Sequence, residues 1–276
     1  MPPMARGNAL KNFLKREFDV KYISDILLDS NNILGIEYLK AMLSSNSQIK
    51  PISIIRKGGD YNSKTVVDRI CSATAIRELL EKNELDSIKD VMPESSFNIL
   101  NDNIINGKAP MFLRNFEGEI LYSLRKYSTQ ELASIADVTE GLENLIKKAS
   151  SEGMELEGLI DIIKTKRYTR TRIQRILLHT LLDIKKDEIE NYKYNPQYIR
   201  VLGFTKNGEK VLSQISNNSN LPIITSPSKF IKNANPIAKM MLEKDILGTN
   251  IYTLGYQIPK FREMNLDYTN PVVIVK

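Results

Sequence analysis

From Met111 to about Lys186 the apolar residues recur at helical spacing almost without interruption. Such a stretch folds as packed helices, so any sheet must be assembled from the segments on either side of it. Before residue 100 there is barely one clear strand, the β-branched run from Ile52 to Arg56, which leads into a Gly-Gly loop. The rest of that portion reads as helices. Ala5 to Phe18 carries Leu10, Phe13 and Leu14 at helical spacing, and the capping residues Asp29 to Asn32 precede the amphipathic ILGIEYLKAMLSS. Ser72 to Leu80 is a further helix, Met92-Pro93 punctuates, and NDNIINGKAP (101–110) reads as the loop at a domain boundary. Within the central stretch, Asp137-Val-Thr-Glu140 has the pattern of a capping box opening the helix GLENLIKKAS. After Tyr192, YIRVLGF and LPIIT read as short strands followed by polar or helical segments, and PVVIVK as a third strand. A small α/β lobe is expected there.

Composition removes several classes of function. No run of 18 apolar residues is present, so no membrane span is expected, and the start MPPMARGNALKNFLKREF lacks the apolar core of a secretory signal. Cys71 is the single cysteine, which excludes an internal disulfide and suits a reducing cytoplasm. His179 is the single histidine. No transition-metal site built on several imidazoles or thiolates can form, and neither can an HxGH motif. The net charge of +6 is a modest excess over 33 acidic residues and gains meaning only where it clusters.

It clusters in KTKRYTRTRIQRILLHTLLDI (164–184), where six basic residues and no acidic one stand between Lys164 and Leu182. On a helix, Tyr168, Arg172, Arg175 and His179 fall on one side, with Ile173, Ile176, Leu177 and Ile184 roughly opposite. Lys164, Lys166, Arg167 and Arg170 lead into it. Arginine forks match phosphate oxygens, and Tyr or His can stack on a splayed base, so one reading is a nucleic-acid surface. The competing readings are a solvated face, or arginines bridging to acidic neighbours such as Glu140 to Glu143. His179 reads as a packing or hydrogen-bonding residue rather than a catalyst.

Two weaker features suit an anionic small molecule. In ICSATAIREL (70–79), Ser72 and Thr74 stand where a helix begins and Arg77 about one turn later, the makings of a phosphate cradle at a helix N-terminus. Plain N-capping by Ser72 explains the same pattern. Asn31 precedes a helix, while Arg56 and Lys57 end the predicted strand, which is where open α/β sheets place their ligand crevice.

Taken together, SNNILGIEYLKAM (30–42), PISIIRKGGDY (51–61), SATAIREL (72–79), ADVTEGLENLIKKAS (136–150), KTKRYTRTRIQRILLHTLL (164–182), YIRVLGFTKNG (198–208) and the ending LDYTNPVVIVK resemble the bacterial tRNA(Met) cytidine acetate ligases of the nucleotidyltransferase superfamily. The resemblance runs in order over essentially the whole chain. It implies an enzyme that activates acetate with ATP, with Mg2+ alongside, as acetyl-adenylate. The acetyl group then passes to N4 of the wobble cytidine of elongator tRNA(Met). It assigns Asn31, Arg56, Lys57, Ser72, Thr74 and Arg77 to ATP, and makes Lys164, Lys166, Arg167, Arg170, Arg172 and Arg175 a tRNA surface. Beyond ATP as substrate it implies no bound metal or organic cofactor.

Two departures qualify it. The family begins with a strand and an HxGH-type loop, which this sequence lacks, and Asn62 stands where a histidine is common after the tyrosine. The fold expected is therefore α/β with a mainly α-helical second domain. Residues 1–105 would be the C-terminal half of a Rossmann-like nucleotidyltransferase domain, 106–192 the helical basic domain and 193–276 the small α/β lobe. Without a phosphate-cradling loop, acetate activation would be impaired, and the exposed half-domain would favour self-association. The alternatives are a non-catalytic tRNA-binding fragment, or a nucleotidyltransferase with a different acyl substrate.

Overall fold

The computed structural model describes residues 30–54, 71–139, 141–193 and 195–275. The predicted helix over 5–18, the Gly-Gly loop with Arg56 and Lys57, and Asn62 lie outside the described residues. Contacts divide the chain into two compact units, the first ending at Asp102 and the second beginning at Asn103.

The first unit holds α1 (Ser30–Ser44), α2 (Ala73–Glu81), α3 (Leu85–Lys89) and the start of α4 (Glu94–Ile105). Helix α1 starts at Ser30, so Asn31 stands in its first turn rather than before it. Helix α2 starts where the hydroxyl of Ser72 accepts the backbone N–H of Ala75 at 3.0 Å, and it buries Ala75. Residues 51–54 are not in a strand, and Ile52 and Ile54 are 87% and 91% exposed. Their β-branched pattern is only a propensity, and a strand exists by pairing with a neighbour. Residues 101–105, expected in a loop, complete α4, where Asp102 and Ile105 are exposed and Asn101, Asn103 and Ile104 half-buried.

The second unit is built on a helical core. A 3-10 turn (Leu113–Phe116) leads into α5 (Glu117–Lys126), followed by α6 (Thr129–Ser134), α7 (Leu142–Ser151), α8 (Leu156–Ile163), α9 (Arg170–Leu181) and α10 (Lys186–Tyr192). The helical periods seen in the sequence become one hydrophobic cluster: Ile120 and Leu124 from α5, Leu142 and Ile146 from α7, Leu159, Ile160 and Ile163 from α8, Ile173, Ile176 and Leu177 from α9. All but Leu142 are 0% exposed, and each contributes roughly 1.5–3 kcal/mol on burial. The expected capping box is replaced: the N-cap of α7 is Gly141, at φ +81, with no side-chain cap, while Asp137 and Thr139 turn to α9. Glycine takes that left-handed conformation without a Cβ clash.

Two strand pairs follow, both parallel. β1 (Ile199–Arg200) pairs with β3 (Ile223–Ile224), Ile199 facing Ile223; β2 (Gly203–Thr205) pairs with β4 (Val273–Val275), Phe204 facing Ile274. Parallel strands need crossovers. α11 (Lys206–Asn218) is followed by β3, and α12 (Pro227–Phe230), α13 (Pro236–Tyr252) and α14 (Leu266–Thr269) fill the path to β4. Helix α13 buries Ala238, Leu242 and Ile246. Arg200 anchors this region, pairing with Asp267 and lying 3.5 Å from Asp245.

Candidate functional site

The basic stretch divides in two. Helix α9 covers only Arg170–Leu181, and the residues before it form a tight turn. Thr165 closes that turn: its Oγ1 accepts the N–H groups of Arg167 and Tyr168, and its own N–H donates to the Tyr168 carbonyl at 3.1 Å. Lys164, Lys166 and Arg167 stand exposed on it, while Thr169 caps α9 by accepting the N–H of Arg172.

The arginines of α9 itself are engaged inside the protein. Arg170 pairs with Glu157 and lies 3.5 Å from Asp161, both on α8. Arg172 donates to the Asp137 carbonyl at 2.8 Å and to Thr139 Oγ1 at 2.6 Å. Arg175 donates through Nε to Asp137 Oδ2 at 2.6 Å, and His179 Nδ1 lies 3.5 Å from the same oxygen. Burial alone would raise the Asp137 carboxyl, but the Arg175 bond and the charges of Arg175, His179 and Arg172 outweigh it and hold it below the usual range. That bond also raises Arg175. Asp137 reaches these partners from the left-handed region, at φ +67, a conformation that Asp adopts more readily than most residues.

Tyr168, read as an aromatic for stacking on a base, is instead 8% exposed and belongs to the core, with the Arg172 guanidinium 5.3 Å from its ring centroid. A tyrosine ring is largely apolar, and at the mouth of a helix bundle burial outweighs its polar tip. Asp137 and Thr139 were missed as partners of the basic helix. Their only sequence signal, short polar residues before a glycine, reads equally as a cap.

Among the residues assigned to ATP, Ser72, Thr74 and Arg77 come together at α2: Ser72 is the buried cap, Thr74 is half-buried in the first turn, and Arg77 is exposed one turn on. Asn31 is exposed on α1, and Arg56 and Lys57 lie outside the described residues. Three cavities of the second unit, of about 730, 640 and 280 Å3, are lined by none of the site residues read from the sequence. Among the described residues no helix is long and apolar enough to cross a membrane, and no group of three His, Cys, Asp or Glu could hold a metal ion.

Comparison with known proteins places this geometry. The family model described as HIGH Nucleotidyl Transferase matches residues 3–267. The tRNA(Met) cytidine acetate ligase of Acetivibrio thermocellus is 37% identical over 99% of this chain, which spans 66% of that relative's length. That of Thermosipho africanus is 38% identical, with 99% of this chain and 67% of the relative covered. The apo crystal structure of Thermotoga maritima TmcAL superimposes with a TM-score of 0.92 at 29% identity, covering 99% of this chain and 67% of that one. The same protein bound with alpha-thio ATP gives a TM-score of 0.89 at 30% identity, covering 99% and 66%. These matches take in 99% of the chain, which spans about two thirds of the length of the relatives it matches. The helix-rich fold, the order of its motifs and likeness along nearly the whole chain agree, and the chain belongs to the tRNA(Met) cytidine acetate ligase family of the HIGH nucleotidyl transferases.

Proposed function

We propose that the protein works as an ATP-dependent ligase that acetylates N4 of the wobble cytidine of elongator tRNA(Met). The observation that carries the reading is the 37% identity, over 99% of this chain, to a relative of that name. A second support is the likeness to a solved relative bound with alpha-thio ATP. In the proposed chemistry an acetate oxygen attacks the α-phosphorus of ATP and pyrophosphate leaves. The cytidine N4 then attacks the acetyl carbon, losing a proton as AMP departs. The anionic transition states call for fixed donors and cations. On this reading Asn31, Arg56, Lys57, Thr74 and Arg77 contact ATP, with Mg2+ on the phosphates, and Ser72 holds the end of α2 in place.

On the RNA side, the turn carrying Lys164, Lys166 and Arg167 meets the phosphate backbone, and Arg170, Arg172 and Arg175 brace it through Glu157, Asp137 and Thr139. The test is pyrophosphate release by the purified chain with ATP, with and without acetate, alongside transfer of labelled acetyl to tRNA(Met). Acetate-dependent release with labelling of the wobble base is expected. Release stimulated equally by other short acids would favour a different acyl substrate, and tRNA binding with no release would leave a binding protein.

A further inference from the structure

The helical core carries a second basic feature, away from the stretch that dominates the sequence. A cleft of about 640 Å3 opens beside the C-terminal turns of α5 and α7, and Arg125, Lys147, Lys148, Thr129, Asn144 and Ser151 are among the residues lining it. No carboxylate lines it, although Glu143 reaches its rim and accepts from Asn144 Nδ2 at 3.2 Å.

Two of the cations are fixed by reciprocal capping. Lys147, on α7, donates to the carbonyls of Leu124, Arg125 and Tyr127 at 3.1, 2.8 and 2.5 Å, satisfying the end of α5. Arg125, on α5, returns Nε to the Ser150 carbonyl at 3.1 Å, near the end of α7. Helix C-termini carry partial negative charge, and these bonds offset both ends. They also leave the cleft with charge to spare. Arg125 commits one of its five N–H groups, so its terminal nitrogens remain. The Lys148 ammonium has no hydrogen-bond or ion-pair partner among the described residues. A guanidinium already locked at Nε offers a preorganised fork, the geometry that matches phosphate oxygens. Hydroxyl and amide groups alongside suit the same ligand.

We infer that the Arg125–Lys147–Lys148 cleft is a phosphate-binding site that takes the phosphodiester backbone of the RNA substrate, a contact separate from the turn at Lys164 to Arg167. The inference rests on the tRNA reading proposed above. Its source of phosphate is the RNA chain rather than a free nucleotide, and the experiment separates the two.

Equilibrium binding of tRNA to the full chain is measured across a salt series for the unaltered protein, for Lys148→Gln, and for Arg125→Gln with Lys148→Gln. Lys206→Gln with Lys210→Gln on α11 is the charge-matched control, and circular dichroism checks folding. Each lost phosphate contact lowers the slope of log affinity against log salt by roughly 0.7–0.9, so the double variant is expected to lose about 1.4–1.8. The single variant should lose about half as much, with the control near the parent. ATP affinity should not change in any variant. An unchanged slope in the folded Lys148→Gln protein, with tRNA still bound by the parent, overturns the cleft alone. A loss of ATP affinity without a change in the RNA slope also overturns it, because the phosphate would then be a nucleotide's. Failure of the unaltered chain to bind tRNA overturns both the cleft and the reading beneath it.

Discussion

Asp137→Asn tests whether the arginines of α9 serve the fold or the surface. The substitution keeps a residue that tolerates φ +67 and leaves the backbone carbonyl that Arg172 uses. It removes the carboxylate that Arg175 meets at 2.6 Å and that His179 approaches at 3.5 Å. A charge-assisted bond can contribute roughly 1.5–3 kcal/mol, but screening brings partly exposed pairs down to about 0–1 kcal/mol. With the Arg175 side chain 54% exposed and that of Asp137 32%, the screened figure governs, and a loss of about 1 kcal/mol is expected. For a unit the size of Asn103–Lys276 that is a fall in Tm of about 2–4 °C. The pH dependence follows from the direction of the shift. Asp137 titrates below the ordinary carboxylate value, so its stabilisation is complete above that value and is lost as pH falls through the folded-state value. Thermal melts of parent and variant should therefore differ near pH 7 and converge as pH falls below the ordinary carboxylate value. RNA affinity of the variant should fall slightly, since the bond by which Arg175 braces the basic turn is lost. Equal melting temperatures near pH 7, or a gap that stays constant on acidification, would refute the reasoning. A clear rise in RNA affinity in the folded variant would show instead that the released Arg175 reaches the RNA itself.

Two further substitutions probe the core and the end of α2. Ile160→Ala removes a side chain that is 0% exposed in the helical cluster and should cost about 2–5 kcal/mol in urea unfolding, with a transition near the parent's rejecting the assigned core. Ser72→Ala deletes the cap on Ala75 and should cost about 1 kcal/mol while leaving ATP affinity unchanged; reduced ATP affinity without a stability loss would make Ser72 a ligand contact instead.

The elements that the sequence made legible are those governed by local period. Of the apolar face read for the basic stretch, Ile173, Ile176 and Leu177 are in the core, while Ile184 lies past the end of α9 and is half-buried. The start of α2 was legible for the same reason, since a cap is a bond between residues three apart. The expected short strands after Tyr192 also formed, as β1 to β4. Misreadings arose where a local pattern met a distant partner. Ile52 and Ile54 had strand propensity but lie unpaired among the described residues, and the capping pattern at Asp137 was overridden by arginines on α9. The motifs and their order were enough to carry the resemblance to the family, because they belong to the chain itself.

What each basic residue does was decided only in three dimensions. Arg175 and Lys148 are equivalent in a charge count, yet one meets Asp137 at 2.6 Å and the other lines an acid-free cleft with its ammonium unpaired among the described residues. The sequence signal for that cleft, the doublets Arg125-Lys126 and Lys147-Lys148 near the C-terminal ends of two helices, looks like ordinary C-terminal capping and does serve as that. Helical periodicity is a property of neighbours along the chain, so the sequence by itself determined the helices and their buried faces. Charge is spent or left free according to which carboxylates and carbonyls the fold brings within about 3–4 Å, and that pairing is set by tertiary packing.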